Sequence, residues 1–308
     1  MADIEETGKE TGGTFTIEMP KAGILRGVQA RDIEIVGDKS VNLRAAARPY
    51  RNVYTAAQLR AVKSVLEKYG SGKVHLTPRH NLEIPEVGQK NIDGALRELY
   101  VAGLFPGGAG SSVRNIFTCP DWCAMAVRPV QEIGSMISRN FGDMDMPNKV
   151  TISLAGCSNG CSRPRTCDIG IMAVGKVSVL AGGERCPDDC DSCLAACRFG
   201  AIEKAGGQVA LNENCADCAK CAQACPHGRL NIARTGYRIF IGGKEGATVR
   251  FGTRYADFTE DDFEVLEITD RVLNRYREKA LLRDGSARKK ERLAETLERL
   301  GIGAFLQP

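Results

Sequence analysis

Thirteen cysteines lie in this chain of 308 residues, and twelve of them fall into close groups. Eight stand between positions 186 and 225: Cys186, Cys190, Cys193, Cys197, Cys215, Cys218, Cys221 and Cys225. Four more form two pairs, Cys119 with Cys123 and Cys157 with Cys161. Scattered buried thiols would show no such grouping. The opening segment, Met1-Ala2-Asp3-Ile4-Glu5-Glu6, is acidic and lacks the apolar stretch of a secretory signal. The thiols are therefore expected in a reducing compartment, the cytoplasm, where disulfides do not persist. Tight spacing there reads as metal ligation. No run of eighteen apolar residues exists, so no membrane span is expected. A net charge of +4 is too mild to argue for nucleic acid.

Cys215, Cys218, Cys221 and Cys225 follow the spacing C-x2-C-x2-C-x3-C, with Pro226 next. This is the bacterial ferredoxin run, in which three thiolates close on one cubane and the fourth serves the other. The partner set is spaced C-x3-C-x2-C-x3-C, with Arg198 where proline is usual. The expected division places Cys186, Cys190, Cys193 and Cys225 on one 4Fe–4S cluster, and Cys215, Cys218, Cys221 and Cys197 on the other. Two clusters this close form an electron wire. The remaining pairs could hold zinc or a third cluster. With eight ligands already on cubanes, four more make a third, and only Cys167 is left over, as a small buried residue.

Around these groups the chain reads as α+β. Val41 to Arg48 and Val74 to Pro78 alternate as strands. Thr55 to Tyr69 repeats Leu59, Val62, Val65 and Leu66 at helical spacing. Helices are expected over Ile92–Ala102, Pro129–Asn140, Glu260–Leu282 and Ala287–Leu300. Strands are expected over Lys149–Leu154 and Gly236–Gly242. The expected divisions are a loose tail at 1–14, a ferredoxin-like α+β half-domain at 15–84, a cluster domain at 85–180, an inserted 2×4Fe–4S ferredoxin domain at 181–234, and a return strand with closing helices at 235–308.

Thr77-Pro78-Arg79-His80-Asn81, Val113-Arg114-Asn115-Ile116 and Ala155-Gly156-Cys157-Ser158-Asn159-Gly160-Cys161 resemble the signature segments of sirohaem-dependent sulfite and nitrite reductases. Gly236 to Gly243 resembles the strand after their cluster motif. A ferredoxin insert at this place is most similar to the catalytic subunit of anaerobic sulfite reductase. The resemblance implies a sulfite/nitrite reductase-like half-unit binding sirohaem and three 4Fe–4S clusters, with Cys161 bridging one cubane to the haem iron. It implies six-electron reduction of a small oxyanion, sulfite to sulfide, with nitrite to ammonia as the alternative. Arg48, Arg79 and Lys149 match substrate-binding cations. Arg44, Thr77, Arg79, Asn81, Arg114 and Asn115 join Cys161 as cofactor-binding residues.

The strands support a basic face. Arg44, Ala46 and Arg48 alternate on one, His75, Thr77 and Arg79 on the next, and Lys149, Thr151 and Ser153 on a third. Such a face suits an anionic macrocycle and an anionic substrate. Three departures stand out: a C-x3-C first pair where the family has C-x5-C, Thr151 in place of a second lysine, and Arg48 to Asn52 in place of a Gly-rich turn. Trp122 is expected to shield the cluster from water. One half-unit implies a homo- or hetero-oligomer. The absence of a flavin or nicotinamide motif implies an electron-donor protein, a ferredoxin or an iron–sulfur/flavoprotein subunit. The competing class is a sirohaem-free electron-transfer subunit with three clusters.

Overall fold

The computed structural model describes residues 28–35, 38–47, 52–77, 80–106, 110–180, 186–282 and 290–306, and within the first two stretches only Leu43 beyond its backbone. The expected tail at 1–14 lies outside the described residues.

The first unit is an antiparallel sheet with two helices. Its elements are β1 (Val28–Ile35), β2 (Asp38–Ala47), α1 (Ala56–Tyr69), β3 (His75–Leu76), β4 (Leu82–Gly88), α2 (Ile92–Val101) and β5 (Leu104–Pro106). The strand order is β1-β2-β4-β3, with β5 on β2. Helix α1 starts where Thr55 and Gln58 cap each other, Gln58 N donating to Thr55 Oγ1 at 3.2 Å and Thr55 N to Gln58 Oε1 at 2.9 Å. It buries Val62, Val65 and Leu66 against Leu43, Ile84, Leu96 and Leu99. Leu59, expected on that stripe, is 50% exposed. Of the strand expected over Val74–Arg79, the described residues pair only at His75 and Leu76, both exposed, and Pro78 and Arg79 lie outside the described residues. Beyond Leu76, Thr77 N donates to Asn81 O at 3.0 Å and His80 N to Thr77 O at 2.9 Å.

The second unit is a mixed sheet of order β12-β11-β8-β7-β6. In chain order it runs β6 (Val113–Thr118), α3 (Gln131–Phe141), β7 (Val150–Ala155), β8 (Ile169–Val179), then α4 (Ser192–Ala196), the hairpin β9 (Ile202–Ala205) with β10 (Gln208–Leu211), α5 (Lys220–Gln223), β11 (Leu230–Ile241), β12 (Thr253–Thr259), α6 (Asp262–Lys279), α7 (Leu293–Leu300) and α8 (Gly303–Leu306). Strands β6, β7 and β8 are parallel, whereas β11 is antiparallel to β8 and β12. One face carries Ile116, Ile152, Leu154, Ile171 and Ile239 against Ile133 and Ile137 of α3 and Val265 and Val272 of α6. All six residues of β6 and the first seven of β8 are buried. That is why neither shows the polar–apolar alternation by which a half-exposed strand is read.

Candidate iron–sulfur and cofactor site

Strands β6 and β7 are parallel neighbours, with Thr118 opposite Leu154, and each runs straight into a cysteine loop. Cys119 N donates to Leu154 O at 3.0 Å, so the first loop starts on the strand that leads to the second. Val127 N and Arg128 N then donate to Gly156 O at 2.7 and 3.3 Å. A Cβ at Gly156 would stand 3.2 Å from Arg128 O and 3.3 Å from Ala126 Cβ, so this close approach favours glycine. Asp121 explains how the short C-x3-C gap closes. Its Oδ1 accepts from Val130 N at 3.0 Å and Gln131 N at 3.1 Å, capping α3 from inside the cysteine loop. Arg128 ties the end of the loop to Asp262 at 2.8 Å and lies over the Tyr237 ring. The second loop is fixed by Ser162, whose Oγ donates to Leu154 O at 2.9 Å and whose carbonyl accepts from Ser153 Oγ at 2.6 Å.

The four thiols differ in exposure: Cys157 is buried, Cys119 and Cys123 are half-buried, and Cys161 is exposed. Trp122, expected to shield this site, is 74% exposed instead.

Across from the helix-covered face, Asn115 and Phe117 line the sheet beside the first unit. Asn115 is 2% exposed, and both polar atoms of its amide are buried without a hydrogen-bond partner. The His80 ring lies 5.2 Å from that of Phe117. Partial burial, and then the Arg163 guanidinium, hold the His80 imidazole below its ordinary pKa. Asn52 joins the two units, donating to Thr118 O at 2.7 Å and accepting from Thr118 Oγ1 at 3.0 Å. The Thr77 hydroxyl accepts from Asn81 N at 3.1 Å, and Asn81 and Arg114 are buried. Lys149 is half-buried at the start of β7.

Arg48 and Arg79 lie outside the described residues, as does the side chain of Arg44, whose backbone pairs with Glu83. Four members of the expected basic face are otherwise engaged, Thr77 and Ser153 in the bonds with Asn81 N and Ser162 O given above. His75 Nδ1 sits 2.8 Å from Glu83 Oε2. Thr151 donates its amide at 2.9 Å and its hydroxyl at 2.8 Å to Asp168 Oδ2. Asp168 is itself paired with Arg292. Thr151 therefore belongs to a buried network, which corrects its expected place facing an oxyanion.

The cysteine-rich segment between β8 and β11 brings its thiols together crosswise. Cys197, Cys215, Cys218 and Cys221 line one small cavity, closed by Val177 and Phe199. Cys193 neighbours Cys225 and Cys186, and burial pushes its thiol pKa up. Burial pushes Cys221 up to about 11. The extra residue in the first gap is accommodated by Lys204, whose ammonium donates to Pro187 O, Asp188 O and Cys190 O at 2.8, 3.1 and 2.8 Å. Lys204, Asn52 and Asp121 escape sequence reading because each acts through backbone groups that fold next to it.

Among the described residues no three His, Cys, Asp or Glu side chains stand close enough to hold one metal ion. Ligands of a cubane each hold a different iron and stand farther apart. Thiolate sets without histidine suit iron–sulfur clusters, and the orphaned Asn115 amide suits a polar cofactor edge.

Parallel strands that deliver two cysteine loops to one end, with a cysteine-rich segment docked on the same sheet, define an iron–sulfur protein of α+β class. Residues 109–308 match the family described as the nitrite and sulphite reductase 4Fe-4S domain, and residues 38–102 match its ferredoxin-like half domain. The chain belongs to the nitrite and sulphite reductase family. It is 30% identical over 276 residues to a coenzyme F420-dependent sulfite reductase of Methanocaldococcus jannaschii, covering 88% of this chain and 42% of that protein. It is 26% identical to the beta subunit of the dissimilatory-type sulfite reductase of Nitratidesulfovibrio vulgaris, covering 77% of this chain and 66% of that subunit. The crystal structure of dissimilatory sulfite reductase I shares the fold, with a TM-score of 0.69 and 22% identity over 87% of this chain and 68% of that one. Among the described residues no helix is long and apolar enough to cross a membrane.

Proposed function

We propose that the chain is the catalytic subunit of a sirohaem- and iron–sulfur-dependent reductase that converts sulfite to sulfide with six electrons. The observation that carries this reading is the meeting of the Cys119 and Cys157 loops at the ends of β6 and β7, together with the buried, unpartnered amide of Asn115 on β6. Cys119, Cys123, Cys157 and Cys161 would hold one cubane, and the insert's eight cysteines two more. Cys161, the exposed member, would hold both the cubane and the sirohaem in this reading.

Sirohaem, when bound, supplies the iron at which the oxyanion is reduced. The chain's own residues bind and orient. Asn115 and Asn81 would present amides to the macrocycle, Arg114 would supply charge for its carboxylates, and Lys149, just before β7, would bind the oxyanion. Arg44, Arg48 and Arg79 complete the cationic set in this reading. Ser162 and Asp121 keep the cysteine loops rigid. Nitrite reduction to ammonia would use the same groups.

Electrons would come from a donor protein through the insert, in the cytoplasm, with the chain in a homo- or hetero-oligomer. One observation favours a second reading, a sirohaem-free electron-transfer subunit: Thr151 stands at a cationic position of the family and is committed to Asp168. Comparison of sulfite and nitrite turnover by the protein matured in a sirohaem-producing host separates the readings. Turnover of neither, with clusters present, overturns the enzyme.

A further inference from the structure

The Cys215–Cys218 loop is held to the central sheet by three side chains that the proposed function leaves unused. Asp217 stands between two cysteines at a backbone φ of +56°. Its Oδ2 accepts from Lys176 Nζ at 2.7 Å and from Arg238 Nη2 at 2.9 Å. Its carbonyl accepts from Gly175 N at 2.8 Å, and Arg238 Nη1 donates to Ala216 O at 3.2 Å. The side chains of Arg238 and Asp217 are only 10% and 12% exposed, while that of Lys176 is 45% exposed. The remaining nearby carboxylate, Asp257, is 3.9 Å from Arg238 Nε, is 70% exposed and is shared with Arg254. Two cations thus face one buried carboxylate within the loop that carries Cys215 and Cys218.

The same place is where two cysteine loops meet. A Cβ on Gly175 would stand 3.0 Å from Ala219 Cβ, in the insert, and 3.0 Å from Val127 Cγ1, in the loop after Cys123. The seat of the insert loop therefore fixes its approach to the Cys119–Cys161 site.

We propose that Lys176, Asp217 and Arg238 are positioning residues that seat the Cys215–Cys218–Cys221 cluster against the sheet and set its reduction potential. The inference rests on the reading of those cysteines as ligands. One-electron reduction adds one negative charge to the cluster. The electron would come from the neighbouring cluster that Cys186, Cys190, Cys193 and Cys225 would hold, with no bond or proton moved. A cation left uncompensated beside the loop stabilises the reduced form, and a cation removed destabilises it.

The test is an EPR-monitored redox titration of the cluster-loaded chain, with Cys218→Ser identifying the signal that belongs to this loop. Asp217→Asn keeps the shape, removes the charge, and is expected to raise the midpoint of that signal. Lys176→Gln, on a partly exposed side chain, is expected to lower it. Each shift is expected at about tenfold in the ratio of reduced to oxidised cluster at a fixed poise, or about 59 mV for a one-electron couple. Opposite signs mark a charge effect, because loosening the loop would move both variants the same way. Shifts of one sign, or unmoved midpoints with clusters intact, overturn the proposal and leave the ligand assignment standing. A wild-type spectrum unchanged in Cys218→Ser overturns both.

Discussion

The Arg292 guanidinium donates to both carboxylate oxygens of Asp168, at 2.8 and 2.9 Å, across 124 positions of sequence. Asp168 is fully buried and also holds Thr151, so one carboxylate ties α7 to β7 and β8. Removing one partner of a buried pair leaves an uncompensated charge. Arg292→Met is expected to cost about 3–5 kcal/mol, and Asp168→Asn combined with Arg292→Met less than the sum of the two single changes. Urea unfolding of the four proteins measures this. A strictly additive result would mean that the pair does not act as a unit.

Thr151→Lys tests the corrected place of Thr151. A lysine here meets Asp168 and competes with Arg292, so sulfite affinity is expected to stay unchanged while stability falls. Tighter sulfite binding, measured by spectral titration, would return position 151 to the substrate face.

Asp121→Ala removes the acceptor that caps α3. About 1 kcal/mol of stability is expected to go with it. Because the cap lies inside the Cys119–Cys123 loop, faster cluster loss under chelator is expected as well. Loss of stability without faster iron release would separate the helix cap from the cluster loop.

Cys167 is the one cysteine outside the proposed ligand sets. Burial, reinforced by the Asp168 charge, pushes its thiol up to about 12, so it stays protonated at neutral pH. Mass spectrometry after alkylation is expected to show no labelled cysteine in the loaded native protein. Once the clusters are stripped without unfolding, the exposed and half-buried ligand cysteines are expected to label first, the buried Cys157, Cys186, Cys193 and Cys221 more slowly, and Cys167 last. Early labelling of any of the twelve would remove that residue from its ligand set.

Cys161→Ser and Cys218→Ser are expected to divide the labour. The first should abolish coupling between cubane and haem, seen in the EPR of both centres. The second should retain sirohaem and slow electron delivery from the donor. Equal loss of sirohaem in both variants would contradict the division.

The legible part of this molecule was what repeats locally. Cysteine spacing pointed to the cluster loops, and the helical spacing of Val62, Val65 and Leu66 pointed to α1. Strands β6 and β8 were illegible because burial on both faces erases alternation, so Val113–Thr118 and Ile169–Val179 carry no period to read. The clamps on the loops were hidden for a different reason. Lys204 grips three carbonyls and Asp217 meets Arg238 only after β9 and β11 fold beside the cysteine runs. Trp122 was misread because local sequence gives no sign of which side of a loop faces water.

The most direct measurement is the absorption spectrum of the anaerobically purified chain, matured in a host that makes sirohaem, with iron and acid-labile sulfide quantified beside it. The account predicts sirohaem bands over an iron–sulfur envelope and about thirteen irons per chain, four for each of three cubanes and one for the haem. An iron–sulfur shoulder without haem bands would contradict the catalytic reading and leave an electron-transfer protein.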